Sequence, residues 1–430
     1  MDQFAYKSKK LIHDSGKDWQ SITNFGPLRY GFEEEGKSQS SPNQANKYVD
    51  IMFTIANKFT SINGFGRSRY NDYFYAYFFP EIVNESGENN QPVMRTLVSG
   101  NYGSNSGIGF ENSWCIFQIG NGKENWGAGN DIQLSLSKHS SSYDYFLLGS
   151  DYGKIRVRYI YGFLEKVENV NRYITARGLE YTNKKSLVIG LSETVIYSGE
   201  SRSFDIGYLN PISSHLEIEL NNRLNIVGDG NSNAVWQFHL DFLPSKNFRL
   251  SLNILYDELV LDPDIQIGKE NGKAFSSRLA YSPTISNNYL LTFYCSIIKV
   301  GTPTFRHGIG TNNFTQSGRP LGWTGGSDGQ EIRMGINYFN YKNLITSFSF
   351  GLVKLGEESI IDRVFDPYKD YMKGKFPSGE VEKNHFYRAE ISYRWKFNYS
   401  ISFLVQRDHN FSSLYFKLNV PIFQSLQKKL

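Results

Sequence analysis

The feature that most restricts this chain is a two-residue alternation that returns in strand after strand, with charges on its polar side. In KIRVRYIYGFLE, Ile155, Val157, Tyr159, Tyr161 and Phe163 form one apolar row, and the other row begins Lys154, Arg156, Arg158. Successive side chains of a strand point to opposite faces, so the segment reads as a strand with two unlike faces. YRAEISYRWKF repeats the pattern, with Tyr387, Ala389, Ile391, Tyr393, Trp395 and Phe397 against Arg388, Glu390, Ser392, Arg394 and Lys396. RLSLNILYD sets Leu250, Leu252, Ile254 and Tyr256 opposite Arg249, Ser251, Asn253, Leu255 and Asp257. SLYFKLNVPIF sets Leu414, Phe416, Leu418, Val420 and Ile422 against Tyr415, Lys417 and Asn419. DIQLSLS reads the same way, with Ile132, Leu134 and Leu136 against Asp131, Gln133, Ser135 and Ser137.

These runs exceed the roughly five or six residues of an ordinary soluble strand. They match the ~9–11 residues that a tilted strand needs to cross a bilayer. A soluble sandwich of 430 residues would need a larger apolar share than the 40% found here. A barrel needs only one apolar row per strand, and a wet interior keeps the average low, in line with a mean hydropathy of −0.44. Aromatic residues reach 16%, with 29 Tyr and 32 Phe, a bias that suits rings with one apolar and one wet end at membrane interfaces. The expectation is an all-β chain folded as a closed antiparallel transmembrane β-barrel.

Other classes find less support. The 46 basic and 42 acidic residues leave a formal charge of +4, too even for a nucleic-acid partner, which needs a concentrated basic stripe. No run approaches the ~18 apolar residues of a transmembrane helix. MDQFAYKSKKLIHDSGKDWQ has no apolar signal core, which leaves a cytoplasmic protein or a mature chain whose signal has been removed. The barrel reading requires the second. A turn or two of helix is expected near Phe4 to His13, within an N-terminal periplasmic or plug-like segment, 1–47, ahead of the barrel, 48–430. Longer linkers are expected at 32–47, 82–90, 301–331 and 360–383. Cys115 and Cys295 read as small buried apolar side chains rather than a disulfide framework.

Chemistry is sparse. The seven histidines never take metal-ligand spacing, so no metal site is expected. GNGKENWGAGN fails as a phosphate loop, because Phe117 stands where the first glycine belongs and Glu124 follows Lys123. DGNSN fails as a calcium loop, with Ala234 and Leu240 at the Gly and Glu positions. No GxSxG elbow occurs. Carboxylates could flank a glycosidic bond, but the favoured reading pairs them with arginines. Arg156, Arg158, Arg172, Arg177, Glu180 and Glu193 are expected to form a charge network across the barrel interior.

The middle of the chain resembles the outer-membrane capsule assembly proteins of the Wzi family. The resemblance lies in GIGFENSWCIFQIGNGKENWGAGNDIQLSLS, SYDYFLLGSDYGKIRVRYIYGFLE, RYITARGLEYTNKKSLVIGLSETVIYSG and YLNP, in that order. YDELVLD, LGWTGGSDG and FPSGEVE are similar to the family's later blocks. The resemblance spans most of the chain from about residue 100, and several ordered motifs are more specific than any one alone. It implies a monomeric outer-membrane barrel of about eighteen antiparallel strands. The implied role is to bind exported capsular or exopolysaccharide and help attach or organise it at the cell surface, with no enzyme activity and no cofactor. A porin or carbohydrate channel is the alternative on the same architecture.

A carbohydrate partner needs aromatic faces and shared hydroxyl hydrogen bonds, and an acidic polymer adds a need for Arg and Lys. Trp114, Gln118, Lys123 and Trp126 in one segment, and Arg306, Arg319 and Trp323 in the Gly-rich stretch 301–331, are the candidate contacts. Loop packing or a membrane-interface belt is the competing reading of the tryptophans. The glycines of GKENWGAGN suit a tight loop that fixes the barrel mouth or folds inward.

Overall fold

The computed structural model describes residues 7–8, 11, 45–56, 59–70, 73–85, 105–112, 114–220, 232–257, 267–368, 372–395, 399–408 and 411–426. The first strands are β1 (Ala45–Ala56), β2 (Phe59–Tyr70), β3 (Phe74–Phe79), β4 (Glu81–Glu85), β5 (Asn105–Glu111), β6 (Cys115–Gly122) and β7 (Tyr143–Asp151). The middle holds β8 (Ile155–Phe163), β9 (Val170–Thr182), β10 (Leu187–Glu200), β11 (Ser232–Ser245), β12 (Phe248–Asp257), β13 (Gly272–Tyr281) and β14 (Leu290–Val300). A small hairpin, β15 (Thr315–Gln316) with β16 (Arg319–Pro320), stands apart from the main sheet. The last strands are β17 (Gly329–Phe339), β18 (Leu344–Leu355), β19 (Glu382–Arg394), β20 (Ser400–Asp408) and β21 (Phe411–Leu426).

Apart from the hairpin, these strands form one antiparallel sheet of 19. β3 and β4 share one continuous register on β2, with Gly66 opposite Phe78 and Asn63 opposite Glu81. Between them Gly64 still donates to the Pro80 carbonyl at 2.9 Å. Pro80 has no N–H of its own, so β3 and β4 are one strand interrupted at a proline. Counted so, the 19 segments make eighteen strands. β1 pairs with β2 on one side and with β21 on the other, Ile51 lying opposite both Gly64 and Val420.

Directly opposed residues share a face, so the register assigns both sides of the sheet. Val157, Leu179, Leu191 and Phe238 face one another across β8 to β11, and all four are exposed. Glu180, Gly190, His239, Asn253 and Ser276 make a row on the other face of β9 to β13, and its four side chains are buried. Exposed apolar residues recur on the outer face of most strands, among them Phe117, Phe275, Ile332, Phe348, Ile391 and Phe403. Polar groups inside and apolar rows outside invert the order of a soluble protein.

Antiparallel strands send alternate connections to opposite ends. Residues 112–114, 152–154, 183–186, 246–247 and 340–343 make the short turns, while 123–142, 201–231, 301–328 and 356–381 make long connections at the other end. Short turns on one side and long loops on the other are the habit of outer-membrane barrels.

Several expectations need correction. DIQLSLS is not a strand: Ile132, Leu134 and Leu136 lie wholly buried in the connection after β6, along with Gln133, Ser135 and Ser137. Its alternation came from a loop packed on all sides. Tyr159 and Tyr161 keep their place in the outward row but are buried beneath residues 204–218. Cys115 and Cys295 are free, and Cys295 is exposed between Phe293 and Ile297. They serve as small apolar members of outward rows. The first strand begins at Ala45, and within the expected linker 82–90 the strand β4 runs on to Glu85. Of the N-terminal segment, Lys7, Ser8 and Leu11 are helical. Lys7 pairs with Glu390, and Leu11 packs on Leu290, Phe339 and Ile345 at the short-turn end.

Candidate functional site

The long connections after β6, β14 and β18 fold back onto the inner face. Trp126, Ile132, Leu134 and Leu136 from the first, Phe305, Phe314, Leu321 and Trp323 from the second, and Ile360 from the third share one buried cluster. The wall supplies Ile160, Ile174, Ala176, Ile196, Val235, Leu255, Ala274 and Ile298 to that cluster. Where the loops dock, the inner face has turned apolar, because burial there is by protein and not by water.

Polar side chains of the wall pin the first loop. Asn253 is the central one: its Oδ1 accepts from Ala128 N at 2.7 Å and its Nδ2 donates to the Ala128 carbonyl at 3.1 Å. Ser276 Oγ donates to the Ile132 carbonyl at 2.6 Å, and Ser135 Oγ to Gln237 Oε1 at 3.1 Å. Gly127 has φ +107°, and a Cβ there would stand 2.6 Å from both Asn253 Oδ1 and Gln237 Nε2. Only glycine meets both demands. The first two loops also bond to each other, through Ser137 N to the Leu321 carbonyl at 2.8 Å and Trp323 N to the Leu134 carbonyl at 3.3 Å.

Charged groups tie down the rest. Arg172, buried on β9, donates from Nε to the Thr311 carbonyl at 2.6 Å and from Nη2 to the carbonyls of Asn313 and Thr315 at 2.8 and 3.0 Å. Its Nη1 reaches Glu165 at 3.2 Å. Asp328 joins the second loop to the third, accepting from Thr302 Oγ1 at 2.8 Å, Ser378 N at 3.0 Å and Glu358 N at 3.2 Å. Arg306 pairs with Glu358 and lies 4.0 Å over the Tyr368 ring.

Most of the candidate contacts are builders of this assembly. Trp126 is fully buried and donates to Glu124 at 2.9 Å; Trp323 donates to Glu331 at 3.0 Å. Arg306 joins two loops, and Lys123 braces the base of the first by donating to the Ser140 carbonyl at 3.1 Å. Gln118 is a buried wall residue bonded to Tyr75, Tyr77 and Tyr145. Trp114 is exposed in the turn between β5 and β6, at the opposite end of the sheet from the loops. Arg319 alone of the seven lies half-buried at the tip of the second loop with no ion pair to another described residue.

The expected interior charge network divides. Arg158 and Glu180 lie on the inner face, Arg158 3.6 Å from Glu124 and Glu180 2.9 Å from His239. Burial pushes the Glu124 carboxyl up against the pull of Arg158. Arg156 pairs with Asp151 at 3.1 Å, and Arg172 serves the loop. Arg177 and Glu193 belong elsewhere. They face each other at 3.1 Å on the outward side, in register with the buried Tyr159 and on the same two strands that expose Leu179 and Leu191. The sequence held this assignment: in RYITARGLEY, Arg177 falls in the row of Tyr173, Leu179 and Tyr181, not in that of Arg172 and Glu180. The missed signal for the docked loops is a lapse of alternation. Tyr159–Tyr161, Val195–Tyr197 and Ala234–Trp236 are continuous apolar runs, as befits strand segments covered on both faces.

Among solved structures, the chain is similar to Wzi, an outer membrane protein involved in group 1 capsule assembly in Escherichia coli and described as a carbohydrate-binding β-barrel. The TM-score is 0.62 at 13% identity, covering 88% of this chain and 85% of that one. Pseudomonas aeruginosa OccK2 (OpdF) in complex with glucuronate aligns with a TM-score of 0.49 at 9% identity, over 89% and 98% of the two chains. A BenF-like porin from Pseudomonas fluorescens gives 0.48 at 9% identity, over 89% and 99%. No protein-family profile and no curated relative matches the chain. The fold is that of outer-membrane β-barrels.

Proposed function

We propose that the sheet is a closed barrel of eighteen strands in an outer membrane, and that it binds exported capsular or exopolysaccharide at its long-loop end, helping to attach or organise that polymer at the cell surface. Three observations support closure and placement. The first and last strands pair, the outward rows are apolar, and the long connections 123–142, 201–231, 301–328 and 356–381 all leave the same end. Wzi, which shares the fold, binds carbohydrate.

The observation that carries the binding role is the docking of three loops into the interior. Trp126, Phe314, Leu321 and Trp323 form a core with the wall where a channel would need water. A barrel so filled presents a closed, rough surface at its long-loop end. Arg319 lies in a hairpin on that surface and is the cation we assign to an acidic polymer. We read the protein as a monomeric binding protein and not an enzyme.

Conductance in planar bilayers tests this against the channel alternative. The binding reading expects no steady pore. A large steady conductance would select a porin or carbohydrate channel instead. In the native organism, deletion should shift polysaccharide from the cell-bound to the released fraction. Unchanged cell-bound polymer would refute the attachment role.

A further inference from the structure

Between β10 and β11, residues 201–220 do not rise away from the sheet but lie down its outer face. Tyr159 donates to the Tyr208 carbonyl at 2.8 Å, Tyr173 to that of Arg202 at 2.8 Å, and Arg177 to that of Asn210 at 3.2 Å. Tyr208 stacks on Tyr197 with ring centroids 4.2 Å apart, and Ile218 packs against the same cluster as Val195 and Ala234. His215 closes on Glu193 at 2.6 Å, so the outward Arg177–Glu193 pair is sealed beneath the flap.

The flap's polarity runs opposite to that of a loop in water. Within 201–212 its charged residues, Arg202 and Asp205, are buried and pair with each other at 3.6 Å. Its exposed residues are Ser201, Ser203, Phe204, Ile206, Asn210, Pro211 and Ile212, none of them charged. Ile206 is 64% exposed and Ile212 is 89% exposed. The height is set by the register. Leu179 and Leu191, exposed in the outward apolar row, lie two residues along their strands from Arg177 and Glu193, about 7 Å away. The flap therefore occupies the place that the apolar row would otherwise take, and continues its apolar surface outward.

We infer that residues 201–212 are a lipid-facing flap, with Phe204, Ile206 and Ile212 seated among the acyl chains of the leaflet on the long-loop side and the Arg177–Glu193 pair insulated from those chains beneath it. The inference rests on the membrane-barrel reading. Aliphatic side chains turned outward, charges turned inward and continuity with the exposed wall all fit hydrocarbon. The flap thickens the barrel locally and allows an ion pair on a face where a bare charge is expensive.

Spin-label accessibility tests it. The full chain, carrying Cys115→Ser and Cys295→Ser, is labelled at Ile212→Cys and, in separate samples, at Leu191→Cys and Lys246→Cys. Each sample is reconstituted in vesicles of phosphatidylcholine and phosphatidylglycerol. Oxygen partitions into lipid and a nickel chelate stays in water, so the ratio of their collision rates reports the medium. The expected ratio at positions 212 and 191 is several-fold above that at 246, which lies in a short turn. A water-like ratio at 212 with a lipid-like one at 191 would overturn the flap and leave the barrel standing. A water-like ratio at 191 would instead remove the membrane reading on which the inference rests. Exclusion of both reagents at 212 would also overturn it, because the flap would then be covered by protein, either a second copy or another chain.

Discussion

Arg177 and Glu193 oppose each other across β9 and β10, 3.1 Å apart, on the outward face of the sheet, and His215 of the covering flap completes the pair. Both side chains are nearly inaccessible. Glu193→Ala leaves the Arg177 guanidinium buried without a carboxylate, a change that typically costs about 3–5 kcal/mol. The double substitution Arg177→Met with Glu193→Leu should cost less, since no orphan charge remains. Urea midpoints of the reconstituted protein compare the two. Equal losses would mean that the pair is not the source of the stability.

The face assignment predicts unequal effects for neighbours in one strand. Val157 is exposed on the outward row, and Arg158, next in the chain, is buried inside. Val157→Arg puts a charge in the exposed apolar row near the short-turn end of β8, and Ile391→Arg does the same on β19. On the membrane reading, the cost of a lipid-facing charge is roughly 2–4 kcal/mol at the midplane and less toward the strand ends. Both should fail to assemble in the membrane, while Arg158→Ala assembles. Similar yields of assembled barrel from all three variants would reverse the faces.

Releasing the docked loops should open a pore. Arg172→Ala strips the donors from three loop carbonyls, Thr311, Asn313 and Thr315. Gly127→Ala drives a methyl against Asn253 and Gln237 from a backbone at φ +107°. Each variant is expected to raise single-channel conductance above the parent chain, with the wall retained by circular dichroism. A parent-like trace from both would mean that other contacts hold the loops.

Arg319→Ala should weaken binding of an acidic polysaccharide severalfold and leave the urea midpoint within about 0.5 kcal/mol, as expected for a side chain with no ion pair among the described residues. Trp126→Ala should behave in the opposite way, lowering stability by about 3–5 kcal/mol because a large buried ring is lost. Calorimetric titration with the polymer, alongside unfolding, separates the two.

Glu124 sets a pH dependence. Burial raises its carboxyl above the ordinary value of 4.5, so between the unfolded and folded values the folded chain holds a proton that the unfolded chain has released. Its contribution to stability is greatest below that window and declines as pH rises through it. Glu124→Gln, which still offers Trp126 an acceptor, should flatten this decline in urea midpoints measured across the acid range. An unchanged slope would assign it to another group.

Much of the wall was legible because a strand writes its two faces into alternate residues. Ile155, Val157 and Arg158 were placed on their true sides by period alone, and Arg177 could have been, by counting from Leu179. The number of strands was not read from the period: about eighteen was what the family resemblance implied, and the sheet has 19 segments. The docked loops obeyed no such period. Ile132, Leu134 and Leu136 alternate like a strand yet lie in a loop, since packing on every side demands apolar residues without fixing φ and ψ.

The sequence by itself determined that the chain makes long two-faced strands, and so a sheet with an apolar exterior and a charged interior. Only the tertiary structure decided that three loops pack onto the inner face, that Trp126 and Trp323 are buried in holding them there, and that Arg177 and Glu193 lie under a flap on the outer face. Local periodicity records which face a residue takes. What covers that face is set by chain segments far away in sequence, as Asn253 meets Ala128 and Arg172 meets Asn313.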